Sequence, residues 1–194
     1  MDVTTYANAT VLCRRLAGRL SDGVLEAVRV YYFVGEGELA DASLLLGLAM
    51  EDVQITPAER DLIRAVVADP RAAEFEDLRV VDEPDVPVYD FGQVGPPAAP
   101  DPARADDVLA VEAGRHRVIS LHRAWRSSRD DPGTGTWVYV AVVGGSADEL
   151  GVHSALSSRL GVAVRVAWPI EVVTAVGEPG SYQHRALAGA VRVS

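Results

Sequence analysis

Gly144, Gly145 and Ser146 stand where an apolar run gives way to an amphipathic stretch. That is the arrangement in which backbone amides at a helix N-terminus can cradle an anion. Their neighbours argue against that use. Asp148 and Glu149 fall in the first helical turn, where they answer the helix dipole themselves and repel a phosphate. The run also lacks the third glycine of a dinucleotide fingerprint and the Gly-Lys-Ser/Thr of a phosphate loop. A structural turn is the simpler reading, with anion binding at these three residues the lesser one. Ser146, His153 and Asp148 have the residue types of a hydrolytic triad. However, Gly-Gly-Ser-Ala-Asp is not a nucleophile elbow, and a serine that caps a helix has its oxygen engaged by an amide.

Metal and covalent chemistry fare no better. His116 and His122 are six residues apart on an expected strand, which separates them by about 20 Å. No His-Glu-x-x-His or calcium-loop spacing occurs. Cys13 is the single cysteine, so neither an intramolecular disulfide nor a zinc site of cysteine pairs can form. All 18 basic residues are arginine, which removes Schiff-base and phosphate-loop lysine chemistry. No catalytic residue, metal or cofactor is therefore assigned.

Charge is the stronger signal. Residues 1–107 carry 21 acids against nine arginines, whereas residues 108–194 carry seven acids against nine. An acidic first half lacks the clustered positive charge that phosphate contacts need, so nucleic acid is a poor partner for it and a basic protein a good one. Its candidate contact residues are Glu36, Glu38 and Asp41, with the adjacent Tyr31 and Tyr32. In the second half Arg115, Arg117, Arg123, Arg126 and Arg129 form a dense cluster around Trp125, bounded by Asp130 and Asp131. Arginine beside tryptophan suits an anionic or nucleic-acid surface. With so acidic a neighbour, docking within the chain or between subunits is the favoured reading, and Arg117, Arg123, Trp125 and Arg126 are its candidate residues.

The elements that must position these groups follow from periodicity. Trp137–Val143 is an unbroken β-branched and aromatic run, read as a strand buried on both faces. Ser146 and Glu149 have capping-box spacing and open a helix to Leu160 that Gly161 closes, after which Val162, Val164 and Val166 start a parallel strand. Residues 117–125 pair antiparallel with 137–143; Val118, Ser120, His122 and Ala124 face one side, Ile119, Leu121, Arg123 and Trp125 the other. Val108–Glu112, Ile170–Val176 and Leu187–Val193 are further extended segments, and Leu78–Val81 a short strand.

Ahead of them, residues 4–69 read as about four helices. Thr4 or Thr5 caps the first, which runs to about Leu20; Val24–Val34 has strand composition but helical spacing and is placed as helix; Glu38–Met50 is strongly apolar. Thr56-Pro57-Ala58-Glu59 is a capping box with proline at the first helical position. Residues 82–107 hold six of the eleven prolines and almost no periodicity, and read as a connector.

The expected fold is thus α+β: an acidic helical region (1–81), a Pro-rich connector (82–107), and a mostly antiparallel sheet with one β-α-β crossover helix, Ser146–Leu160 (108–194). No apolar run approaches the ~20 residues of a membrane span, and the first ten residues have no leader pattern, so a cytoplasmic protein without membrane contact is expected. The function these features favour is a non-catalytic interaction module, of inhibitor or immunity type, that binds a basic partner through its acidic half; self-association is a further option. Two alternatives stay open: a small-molecule-binding or regulatory domain with a pocket between the halves, and an enzyme with scattered acid/base residues and no metal.

Overall fold

The structure is a computed structural model that describes residues 2–129, 133–176 and 179–194. Asp130 and Asp131, expected to bound the arginine cluster, lie outside the described residues. The chain divides into two compact units, Met1–Pro87 and Val88–Ser194.

The first unit is helical, with α1 (Val3–Leu16), α2 (Asp22–Val34), α3 (Gly37–Met50), α4 (Pro57–Val66) and the single turn α5 (Ala73–Glu76). Asp2, rather than Thr4 or Thr5, caps α1, its Oδ1 accepting from the amides of both threonines at 2.8 and 2.9 Å. The helix stops at Leu16 instead of Leu20, because Gly18 takes a left-handed conformation (φ 75°). Val24–Val34 is helix as expected: Leu25, Val28 and Tyr32 are buried at helical spacing, and Gly35 (φ 82°) ends it. The capping box of α4 is complete, with the Glu59 amide donating to Thr56 Oγ1 at 3.2 Å and the Thr56 amide to Glu59 Oε2 at 2.8 Å. Glu59 has a second task, accepting from Arg19 Nη1 at 2.6 Å in an ion pair whose side chains are 7% and 6% exposed. The expected strand Leu78–Val81 reduces to a single parallel bridge between Ile55 and Val80.

The second unit is a mixed five-stranded sheet between helices. Its strands are β1 (Tyr89–Gly92), β2 (Val118–Ser128), β3 (Gly135–Val143), β4 (Ile170–Thr174) and β5 (Val191–Arg192), in the order β1-β2-β3-β4 with β5 also beside β2. The β2–β3 pairing is antiparallel, with Trp125 opposite Trp137, and β3–β4 is parallel. Helices α6 (Ala103–Arg115) and α7 (Glu149–Val164) share one hydrophobic cluster with Leu121, Trp125, Tyr139 and Ala141. The opposite face packs Val140 and Val173 against Ala186 of α8 (Ser181–Ala188). As its composition implies, β3 is buried on both faces.

Several boundaries differ from expectation, each for a physical reason. Val108–Glu112 is helical, because Ala105, Leu109 and Ala113 bury a stripe of period four that outweighs the β-branched composition. The crossover helix is capped by Asp148, whose Oδ1 accepts from the Gly151 amide at 3.0 Å, so the Ser146–Glu149 box does not form. It runs past Gly161 to Val164, because an interior glycine costs only about 1 kcal/mol and Leu160 and Val164 still pack on the core. Arg165 (φ 62°) supplies the left-handed stop. The parallel strand therefore begins at Ile170 and not at Val162. A register shift between Val118 and Ser120 brings Val118 onto the face of Leu121 and Trp125, correcting the simple alternation. Of Leu187–Val193 the first two residues end α8, and only Val191–Arg192 is strand, as the two-residue β5. Residues 82–107 contribute β1 and the start of α6.

No helix among the described residues is long and apolar enough to cross a membrane.

Candidate functional site

From Leu44 to Met50 helix α3 has no polar side chain, which is the pattern of a helix enclosed by its protein. It is not enclosed. Ala40, Leu44, Leu45, Gly47 and Leu48 are buried, and Gly47 permits a close approach to α2, since a Cβ there would meet Val24 Cγ1 at 2.5 Å. The other side carries Leu39, Leu46 and Met50 at 50%, 60% and 77% exposure, with Ala42 and Ala49 also exposed between them. Spacings of three, four and four place Leu39, Ala42, Leu46 and Met50 on one stripe.

Beside this stripe runs an open groove of about 400 Å³. Ala42, Leu45 and Leu46 of α3 form one wall, with Val67, Ala68 and Ala72 opposite; Glu38, Asp41, Asp69 and Glu74 stand around them. Two clamps fix these walls. Tyr32 of α2 donates its hydroxyl to Asp41 Oδ1 at 2.9 Å, and the Ala68 amide donates to Asp41 Oδ2 at 2.8 Å, so one carboxylate joins α2, α3 and the segment that follows α4. Burial, followed by the Asp41 charge, drives the Tyr32 phenol well above its ordinary range. Phe75 of α5, fully buried, lies under the guanidinium groups of Arg60 and Arg64, 5.2 and 5.3 Å from the ring centre, and so anchors the segment carrying Ala72 and Glu74.

The groove lining offers carboxylates and aliphatic carbon, but no hydroxyl, thiol, imidazole or amine side chain. Such a lining can hold an apolar group flanked by positive charge. Of the acidic candidates, Glu38 and Asp41 meet at this groove; Glu36 is exposed just before α3, and Tyr31 is half-buried on α2. Tyr32 serves Asp41 from the interior. Glu74 reads in the sequence, with Glu76 and Asp77, as an acidic run that could meet a basic protein as part of a set; Asp69 and the apolar walls do not show there. The available signal was the excess of leucine on α3, too much for one buried face.

The arginine cluster of the second unit is arranged differently. Trp125 is 8% exposed and meets Trp137 edge-on at 5.1 Å, so its face is not open to stacking on a base. Arg123 pairs with Asp106 and lies 4.6 Å above the Trp137 ring. Asp106 also accepts the Tyr139 hydroxyl at 2.7 Å; burial first, then that contact, raises the Tyr139 phenol well above its ordinary range. Arg126 stacks 4.9 Å over Tyr89 and donates to Tyr182 Oη at 2.9 Å. Surface ion pairs take Arg115 to Glu112 and Arg129 to Asp90. Arg117 is exposed in a left-handed conformation (φ 56°). Asp106, Tyr89, Tyr182, Glu112 and Asp90, which these arginines meet, are residues of the second unit.

Burial alone would raise the Glu112 carboxyl; hydrogen bonds from His116 and Arg115 outweigh it and leave the group below its ordinary value. His122 is lowered by burial and then by Arg192. Gly144–Ser146 form a turn closed by the Ala147 amide on the Gly144 carbonyl at 3.0 Å, with Asp148 filling the cap position beyond. His153 is buried within α7. Among the described residues no group of three or more His, Cys, Asp or Glu is placed to hold a metal ion.

No protein-family model, curated protein or solved structure matches the chain.

Proposed function

We propose that the helical unit is a non-catalytic protein-interaction module that takes a basic partner against α3, with an inhibitor or immunity-type protein as one concrete form. The observation that carries this reading is the groove itself, aliphatic along its walls and carboxylate at its edges. Charge across the unit supports it, since residues 1–87 hold 17 acids against eight arginines. Magnitudes assign the roles. An exposed ion pair contributes about 0–1 kcal/mol, whereas burying one leucine or methionine side chain contributes about 1.5–3 kcal/mol. Carboxylates therefore select the partner and speed encounter, and the apolar walls hold it. A cytoplasmic setting belongs to the same proposal, and the single, buried Cys13 suits a reducing compartment.

The test is affinity capture from the host with wild-type protein and with the Glu36→Arg, Glu38→Arg, Glu74→Arg variant. Asp41 is left intact, because replacing it would cut the tie to Tyr32 and Ala68. The expected result is a basic protein retained by the wild type and lost by the variant or in high salt. The same proteins recovered from both, at every salt concentration, would overturn the proposal.

A further inference from the structure

We infer that the occupant of the α3 groove is a cationic amphipathic helix of the partner, apolar along one face and arginine- or lysine-rich beside it. This rests on the reading of the helical unit as a module for a basic protein, and it specifies the shape that protein must present. The receiving surface has the dimensions of a helix face. Leu39 to Met50 is eleven residue steps of α-helix, or about 16 Å, which is the length of three turns of a helix laid alongside. Ala42 and Ala49 alternate along the exposed stripe with Leu39, Leu46 and Met50, leaving low points between high ones into which side chains at i, i+3 or i+4, and i+7 of an incoming helix can seat. Ala68 and Ala72 keep the facing wall low as well.

Charge chooses among helices. The four ionisable residues of the lining, Glu38, Asp41, Asp69 and Glu74, are all acidic. An acidic helix is repelled there, and so is the helical unit of a second copy, with its excess of nine acids over arginines. Burying one leucine on docking is worth about ten- to a hundredfold in affinity, and one exposed ion pair at most about fivefold. The arrangement of apolar residues in the occupant, beyond its charge, therefore decides whether it binds.

The experiment uses the full chain and two labelled synthetic peptides of about 18 residues, a length that sustains helix once docked. Both contain leucine, alanine and arginine in identical numbers. In one the leucines repeat at i, i+3, i+4 and i+7; in the other they are distributed around the helix. Titration by fluorescence anisotropy is expected to show binding of the first at least tenfold tighter than the second. Leu46→Asp should weaken the first by tenfold or more, while Glu38→Arg with Glu74→Arg weakens it less and chiefly at low salt. Leu46 is 60% exposed, so aspartate there spares the core, and Met50→Asp, at 77% exposure, is the second variant should the first misfold. Equal affinity for both peptides, unchanged by Leu46→Asp and Met50→Asp, overturns the helical occupant and leaves recognition of a basic partner by charge alone. Binding of neither peptide at any salt concentration overturns both readings.

Discussion

Each unit contains a buried tyrosine that donates its hydroxyl to an aspartate, and the two aspartates differ in what else they receive. Asp106 also takes the Arg123 guanidinium, so its charge is neutralised inside the β unit. Asp41 takes the Ala68 amide instead, and its charge stays on the edge of the α3 groove. Similar chemistry has opposite results. In one unit an ion pair serves the interior; in the other a carboxylate fixes the walls of a surface and contributes to its field. Arginine density by itself is thus no guide to a binding patch, because Arg123 and Arg126 are engaged within their own unit.

The largest effect should come from breaking the neutralised carboxylate. Asp106→Leu leaves Arg123, only 14% exposed, without its anion, and should cost about 3–5 kcal/mol in denaturant unfolding. Glu74→Leu at the groove should stay within about 0.5 kcal/mol; equal losses would erase the distinction between inward and outward charge. Tyr32→Phe removes a hydrogen bond to a charged group and should cost about 1.5–3 kcal/mol, while loosening the groove enough to weaken peptide binding. The two tyrosines also set an alkaline limit. Both phenols are raised, so the stability they confer is complete below about pH 10, the ordinary tyrosine value, and declines above it as the unfolded chain ionises first. Tyr32→Phe and Tyr139→Phe should each flatten that decline in a pH series of unfolding midpoints. A small effect of the opposite sign is a gain: Arg165→Gly relieves a left-handed residue at the end of α7 and should stabilise by about 0.5–1 kcal/mol, leaving the groove unchanged.

What was legible in the sequence was local chemistry. The Thr56–Glu59 capping box, the helical spacing of Val24–Val34 and the β-branched run of β3 each specify their structure within a few residues, and each is present. Where two local signals competed, tertiary packing decided. Val108–Glu112 became helix because Leu109 and Ala113 had a core to meet, and Gly161 failed to end α7 because Val164 did as well. Of the groove, Glu38 and Asp41 were readable as acidic residues before or within an apolar helix. Glu74 was readable only as one of an acidic run, and Asp69 and Ala72 not at all, because they reach the groove only through the fold-back of α4 and α5 that Phe75 secures.

The most direct test is amide chemical-shift mapping of the isotope-labelled full chain during titration with the amphipathic arginine peptide. Shifts should concentrate at Leu39, Ala42, Leu46, Ala68 and Ala72, with Arg123, Trp125 and Arg126 unmoved. Shifts centred on β2 with α3 silent would contradict the assignment of the acidic helical surface as the binding face.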